Sequence, residues 1–424
     1  MLVTTMKADP VIQLIALPEL RFLHAVEPAA AARKAKRMAK SSNDFVRGSL
    51  PLLGPWLARE VGLDQPWVWA IGDSHQGNFA SLAVGPMKRD GIVPVTFGIA
   101  DVDDEGPAPW SWDLLRLLSS IRIAAPELKR SAFDELCTVT LGSYRECMTR
   151  FADDDAMAAR IDANGLPEAV KALIAAGSGE AKHKRFIASM VAGRGNTVRL
   201  KRDAEVADDP DAAACLHASW DRRQGLPGHN VLDLARRLKP GGLSSLGRRR
   251  WWLLIREQAP TSRLRLLEIK ERAPSALGRI LPVSPFTPWM QDGVAQPVCS
   301  TMGGDPYQRV LHAAAGEYLV RTRCHTRATL DLATLDPSDR RRLGHLYGQL
   351  IATFHWQGLT QLAPDAAERC AAVAKASAAW DERLTQQSDQ LADHLLDLAA
   401  AYRAAVKPLL AGVVRGDSEI LELT

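Results

Sequence analysis

The chain has 424 residues, 46% hydrophobic and 24% charged, with a formal net charge of +4 at pH 7. That length calls for two or three cooperating domains, and that composition excludes a disordered chain. So small a charge excess argues against a nucleic-acid binder, and leaves the local clusters Arg33-Lys34-Lys36-Arg37-Lys40 and Arg248-Arg249-Arg250 as solvated faces or strand ends.

Near the start, the apolar stretch Val11 to Leu17 is short and runs into Pro18 and Glu19 without a small-residue cleavage pattern, so no secretory signal is expected. No window reaches the roughly 20 apolar residues of a membrane helix. Residues 29–62 read as helix, Ala-rich and basic, with a break from Gly48 to Pro55. Residues 66–104 read as strand, turn and strand: "WVWAIGDSH" ends an apolar run at Gly-Asp, and "IVPVTFGIADVDD" runs from β-branched residues into acids. Residues 111–190 read as helices, with Leu114, Leu115, Leu117, Leu118 and Ile121 at helical spacing. Near residue 191 the character changes: Gly193, Gly195 and the acids Asp203, Glu205, Asp208, Asp209 and Asp211 mark a loop. "RRRWWLLIRE" and "SRLRLLEIKER" then read as two strands joined by a turn at Gln258 to Ser262, and from about residue 305 the chain reads as helical. The fold class expected is α+β, divided at 1–190, 191–295 and 296–424. Six cysteines stand far apart with no C-x-x-C pair, which fits buried thiols in a reducing cytoplasm rather than a zinc site or disulfide framework.

The chemistry concentrates in three places. Gly72-Asp73-Ser74-His75-Gln76-Gly77-Asn78-Phe79 follows a buried strand, and Asp101-Val102-Asp103-Asp104 follows another. Phosphoryl transfer needs such a set: a carboxylate to orient the nucleophile, and oxygen ligands for Mg2+, a hard cation. Further on, Gly242-Leu243-Ser244-Ser245-Leu246-Gly247 is a glycine-containing turn before a strand, and Lys270 lies on the next one. Backbone N–H groups of such a turn approach phosphates, and a strand lysine pairs with them. Each motif alone has a plainer reading, as a turn or a solvated acidic tip.

Together, "GDSHQGNF" and "ADVDDEGPAPWSWDLLRL" resemble the catalytic loop and metal-binding segment of aminoglycoside-phosphotransferase-type kinases. Over roughly residues 40–360 the chain more closely resembles domain-of-unknown-function family 2252, through "DFVRGS", "GDSHQGNF", "DVDDEGPAPWSWDLLRL", "GGLSSLG", "LEIKERAPS" and "GQLIATFHWQG". The kinase resemblance implies ATP and Mg2+ as cofactors. It implies Asp73 as the catalytic carboxylate, Asn78 and Asp101 as metal ligands assisted by Asp103, Gly242, Ser244, Ser245 and Gly247 as the phosphate-covering turn, and Lys270 as the phosphate-pairing lysine. Ser244 stands where the middle glycine is expected, and Val102 where an aromatic is expected. Glu317 is the candidate carboxylate partner of Lys270.

In ordinary kinases the glycine turn and lysine precede the catalytic loop; here Asp73 comes first, while "LGHLYGQLIATFHW" resembles the helix that leads into that loop. The expectation is a protein-kinase-like two-lobed fold, circularly permuted, with a helical lobe from both chain ends and a small β-rich lobe from the middle. His75 is expected to structure its loop through a backbone carbonyl, Asp113 to pair with backbone or Arg116, and His355 to pack in the core. Arg47 is expected to bind a substrate phosphate or to sit in a buried salt bridge. Trp251 and Trp252 are expected to pack within strands. The acceptor is a small molecule or a protein, with neither nucleic acid nor membrane as partner. Three rivals stay open: a metal-dependent phosphoesterase, a non-catalytic kinase-like nucleotide-binding protein, and nucleotidyl transfer on the same scaffold with the same residues.

Overall fold

The computed structural model describes residues 28–83, 94–211, 229–238, 246–257, 263–272, 275–281, 307–313, 316–323 and 328–415, together with positions 16, 19–21, 23, 24 and 305. The α+β expectation holds: helices and strands are both abundant and largely segregated.

Helices α1 (Pro28–Met38), α2 (Ser42–Val46) and α3 (Leu50–Trp56) come first, α3 continuing as a π turn over Leu57–Val61. The expected break over Gly48 to Pro55 is thus confined to the residues before Leu50. Pro51 is accommodated because it sits in the first turn, where its missing N–H has no intrahelical partner. Ser41 caps α2 by accepting from Asp44 N at 3.0 Å. Short strands follow: β1 (Trp67–Ala70), β2 (Phe79–Ala83), β3 (Val95–Ile99) and β4 (Gly106–Pro109), with β1 antiparallel to β4 and β2 to β3. Next come α4 (Ser111–Ala124), α5 (Arg130–Ala152), α6 (Glu168–Ser178) and α7 (Glu180–Met190). The short α8 (Ala276–Ile280) lies in the middle of the chain, and at its far end stand α9 (Pro337–Leu362), α10 (Ala366–Ser377) and α11 (Arg383–Arg415).

One hydrophobic core joins the early and late helices: Leu114, Leu117, Leu118, Phe133 and Tyr144 pack with Leu343, Tyr347, Phe354, Leu391 and Tyr402. The closest seam is α5 on α9. A Cβ at Gly348 would lie 2.3 Å from the Thr140 carbonyl oxygen and 2.8 Å from Tyr144 N, so glycine there lets the two backbones touch. The late chain also meets the early strands, since a Cβ at Gly358 would lie 2.3 Å from Trp69 Cβ.

The middle of the chain builds an antiparallel six-stranded sheet in the order β11-β12-β10-β9-β8-β7. Its strands are β7 (Val206–Ala207), β8 (His229–Arg237), β9 (Arg250–Glu257), β10 (Leu264–Glu271), β11 (Arg309–Ala313) and β12 (Gly316–Thr322). The stretch near 191, expected as loop, instead contains the small hairpin β5 (Val191–Ala192) with β6 (Arg199–Leu200). The strands β11 and β12 likewise replace the helix expected from residue 305. Alanine content favours a helix there, but pairing of β12 on β10 buries Tyr318 and Val320 against Trp251 and Leu267, and that tertiary gain overrides local propensity. Side-chain alternation gives the sheet two faces. Leu267 and Ile269 point into one small core with Tyr307 and Leu311, while Leu266 points into another with Trp252, Leu254 and Ile187 of α7.

Among the described residues no helix is long and apolar enough to cross a membrane. Cys137, Cys147 and Cys370 are buried free thiols, each pushed up to about 12 by burial; Cys215, Cys299 and Cys324 lie outside the described residues.

Gly348→Ala tests the helix seam. Alanine at an ordinary helix position would stabilise by about 1 kcal/mol, but a Cβ pressed on the Thr140 carbonyl is overpacking, which costs about 1–3 kcal/mol. A lowered denaturant midpoint in the variant is expected; a raised one would mean that the seam is looser than described.

Candidate active site

The Gly-Asp motif owes its shape to a carboxylate from α4. Asp113 accepts hydrogen bonds from Ile71 N at 2.6 Å and Gly72 N at 3.0 Å, and its Oδ2 lies 2.9 Å from His355 Nε2 on α9. His355 Nδ1 is in turn 2.8 Å from the Tyr144 hydroxyl of α5. A neutral imidazole protonated at Nε2 satisfies this chain, donating to Asp113 and accepting from Tyr144. So Asp113 pairs with backbone, as one of its expected partners, while His355 does more than fill core: it ties three helices to the loop. Gly72 has φ of +80°, and a Cβ on it would lie 2.2 Å from the Asp104 carbonyl oxygen, so both backbone conformation and close approach demand glycine.

This bracing presents Asp73, which is 4% exposed. Its Oδ1 accepts from Arg116 Nη2 at 2.8 Å, and its Oδ2 lies 3.5 Å from His75 Nε2. Burial raises the carboxyl above its usual range, with Arg116 opposing that rise. At Nε2, therefore, His75 meets the Asp73 carboxylate. Arg116 also donates to the Val46 carbonyl, which links the loop to α2. Asn78 donates from Nδ2 to the Asp73 carbonyl at 2.6 Å, and Ala100 N donates to the Asn78 carbonyl at 2.7 Å, so the loop is laced to the end of β3.

The acidic turn after β3 is where sheet and helical body meet. Lys270, on β10 and fully buried, lies 3.4 Å from Asp101 Oδ1 and is paired with Asp103 Oδ2. Arg248 lies 3.1 Å from Asp103 Oδ2 and 3.8 Å from Asp104 Oδ1, which also accepts from Ala276 N at 3.0 Å. Burial raises Asp104, and Arg248 opposes it. Arg321 of β12 donates to the Ala100 carbonyl at 2.9 Å while holding Glu268 at 2.7 Å. Glu268 also pairs with Arg250 at 2.8 Å and Arg237 at 3.3 Å. Burial alone would raise Glu268, but Arg321, Arg250 and Arg323 overcome it and hold the carboxyl well below the usual range.

The structure thus brings Asp73, Asn78, Asp101, Asp103 and Lys270 into one neighbourhood. Gly242, Ser244 and Ser245 lie outside the described residues. Gly247 is described, with φ of +92°, and a Cβ there would lie 2.2 Å from Leu23 Cδ1. Glu317 is not the partner of Lys270: it is half exposed and pairs with Arg272 at 3.2 Å and His312 at 3.3 Å. Asp101 and Asp103 take the lysine because they meet it from the facing body, whereas Glu317 sits opposite His312 at the sheet edge. Trp251 and Trp252 pack on opposite faces of the sheet, as expected of strand residues. Sequence reasoning missed Arg116, Arg248, Glu268 and Arg321. Their signal was charge inside apolar strands and helices, where burial forces pairing. Among the described residues no three acidic, imidazole or thiol side chains converge as a preformed metal site.

A family model described as an uncharacterized protein conserved in bacteria, DUF2252, matches residues 26–408. The chain belongs to the DUF2252 family. No curated protein and no solved structure matches it. The matched region of this DUF2252 chain takes in both halves of the helical body and the whole sheet, so the lysine–aspartate junction lies within the family's own span.

Glu268 gives a pH prediction. Its unfolded value is near 4.5 and its folded value lies lower, so its contribution is fully present above pH 4.5 and is lost as pH falls through the folded value. Glu268→Gln is expected to lower stability at neutral pH by about 3–5 kcal/mol, because it strands buried arginines. Urea midpoints should converge with wild type as the pH is lowered; a gap that stays constant into acid would mean that Glu268 is not held ionised by its arginines.

Proposed function

We propose that this DUF2252 chain is an ATP- and Mg2+-dependent phosphotransferase of protein-kinase-like type, with its lobes in permuted order, acting on a hydroxyl acceptor. One observation carries the reading: Lys270, 169 residues after Asp101, meets that aspartate and Asp103 beside the loop of Asp73 and Asn78. A helical body drawn from both ends of the chain, with the sheet drawn from its middle, is what a permuted two-lobed fold requires.

The residues fit the group they would hold. Asp103 Oδ1 is buried and accepts no hydrogen bond among the described residues, an acceptor that a hard cation would satisfy. Mg2+ is usually held by one or two carboxylates completed by phosphate oxygens, so two aspartates with Asn78 suffice, without a preformed cage. Asp101, Asp103 and Asn78 would hold the ion, and Lys270 would take the phosphates. Bound Mg–ATP supplies the phosphoryl group and the cation that neutralises its oxygens. Asp73 orients the acceptor hydroxyl and receives its proton. The rise of its carboxyl on burial makes it a better base than a solvated aspartate, while Arg116 fixes its direction. The phosphoesterase rival would need extra imidazole ligands; His75 and His355 are engaged with Asp73 and Asp113, and no such cluster converges among the described residues.

Separate roles for the lysine and the aspartate are testable by calorimetry and by phosphate transfer from labelled ATP. Lys270→Ala is expected to weaken Mg–ATP binding at least about tenfold, the worth of a charge-assisted contact. Asp73→Asn is expected to leave binding within a few-fold and to abolish transfer. Equal loss of binding in both variants would contradict the assignment.

A further inference from the structure

Beside the Asp73 loop lies a cavity of about 240 Å3, walled by the end of α2, the His75–Gly77 turn, the last turn of α4 and residues 329–332. That is space enough for a small metabolite. His75 belongs to both places: its ring lines the cavity, and its Nε2 is 3.5 Å from Asp73 Oδ2.

Most polar groups of the lining are already satisfied. Gln76 Nε2 donates to the Leu330 carbonyl at 3.1 Å, Ser120 Oγ accepts from Gln76 N at 2.8 Å, and Asp331 Oδ1 accepts from Ala333 N at 3.1 Å. Arg47 differs. It is half-buried, and its guanidinium has no hydrogen bond or ion pair among the described residues, so the buried salt bridge expected as one of its roles is not formed there. Its charge is nevertheless felt at Asp73, where, after Arg116, it opposes the rise that burial causes. A fork of donors lining such a cavity matches a planar or tetrahedral oxyanion.

We propose that this cavity is the acceptor subsite, and that the acceptor is a small hydroxyl-bearing molecule whose anionic group, phosphate or carboxylate, is gripped by Arg47. The assignment as acceptor subsite rests on the phosphotransferase reading; the anion site itself does not. Arg47 anchors one end of the molecule, which leaves a hydroxyl to reach past His75 towards Asp73.

The test is calorimetric titration of the full chain with glycerol 3-phosphate, glycerate and glycerol. The first two probes separate phosphate from carboxylate, and the third removes the charge. At least one anion is expected to bind and glycerol not to. Arg47→Gln should weaken the anion at least about tenfold, one charge-assisted hydrogen bond, and Lys270→Ala should leave it unchanged. Ala124→Phe, which fills the cavity and keeps Arg47, should also abolish binding and serves if Arg47→Gln does not fold. Binding that is indifferent to Arg47 and to Ala124, binding lost only with Lys270, or no binding by either anion overturns the proposal. The two readings fail separately. Mg–ATP that does not bind, while the anion still depends on Arg47, removes the phosphotransferase and keeps the site. Mg–ATP that binds, with no Arg47-dependent anion, does the reverse.

Discussion

A lysine ammonium buried at the middle of a sheet has to be neutralised where it stands. Removing such a charge from water costs several kcal/mol, recovered only through close, well-placed counter-charges. Lys270 finds them in Asp101 and Asp103, which belong not to the sheet but to the turn after β3. The sheet is therefore compelled to sit on the helical body with that turn against it. Arg248 on Asp103 and Asp104, Arg321 on the Ala100 carbonyl and Ala276 N on Asp104 are further fastenings across the same junction.

The loop that carries Asp73 is stiffened from behind by a different set. Asp113 fixes two backbone amides, His355 orients Asp113, and Tyr144 orients His355. These residues come from three helices of one core, so the position of Asp73 depends on the seam between early and late helices. Fully satisfied buried networks of this kind specify a single geometry, and partial loss leaves costly unpaired groups. Asp73 and Lys270 are consequently braced from two sides: a loop held by the helical core, and a lysine held by a sheet whose own buried glutamate is encircled by arginines.

Much of this was legible in the sequence. Acids and an asparagine placed directly after apolar strands flagged Asp73, Asn78, Asp101 and Asp103, and the reading of "SRLRLLEIKER" as a strand placed Lys270 on it. Residues acting through distant partners were not legible: Arg116, whose partners lie 43 and 70 positions away, reads as an ordinary helix arginine, and His355, 211 and 242 positions from its partners, as core. Glu317 was misassigned because the linear sequence does not say which carboxylate faces a buried lysine. The strands at 309–322 were hidden by alanine content, since the interaction that makes them strands is pairing with β10, not local preference. The break placed at Gly48 to Pro55 erred at Pro51, because proline in the first turn of a helix begins it and does not end it; Pro55 lies inside the same helix, directly before its last residue.

The claim on which the account turns is that the lysine and the two aspartates form one site for a metal-bound triphosphate. Thermal unfolding with nucleotides and divalent ions in combination tests it most directly, because a ligand that binds only the native state raises its stability by mass action. The account predicts a shift with ATP and Mg2+ together that exceeds the sum of the separate shifts, and that disappears in Asp101→Asn. A melting temperature unmoved by ATP with Mg2+, or moved equally in Asp101→Asn, would contradict it.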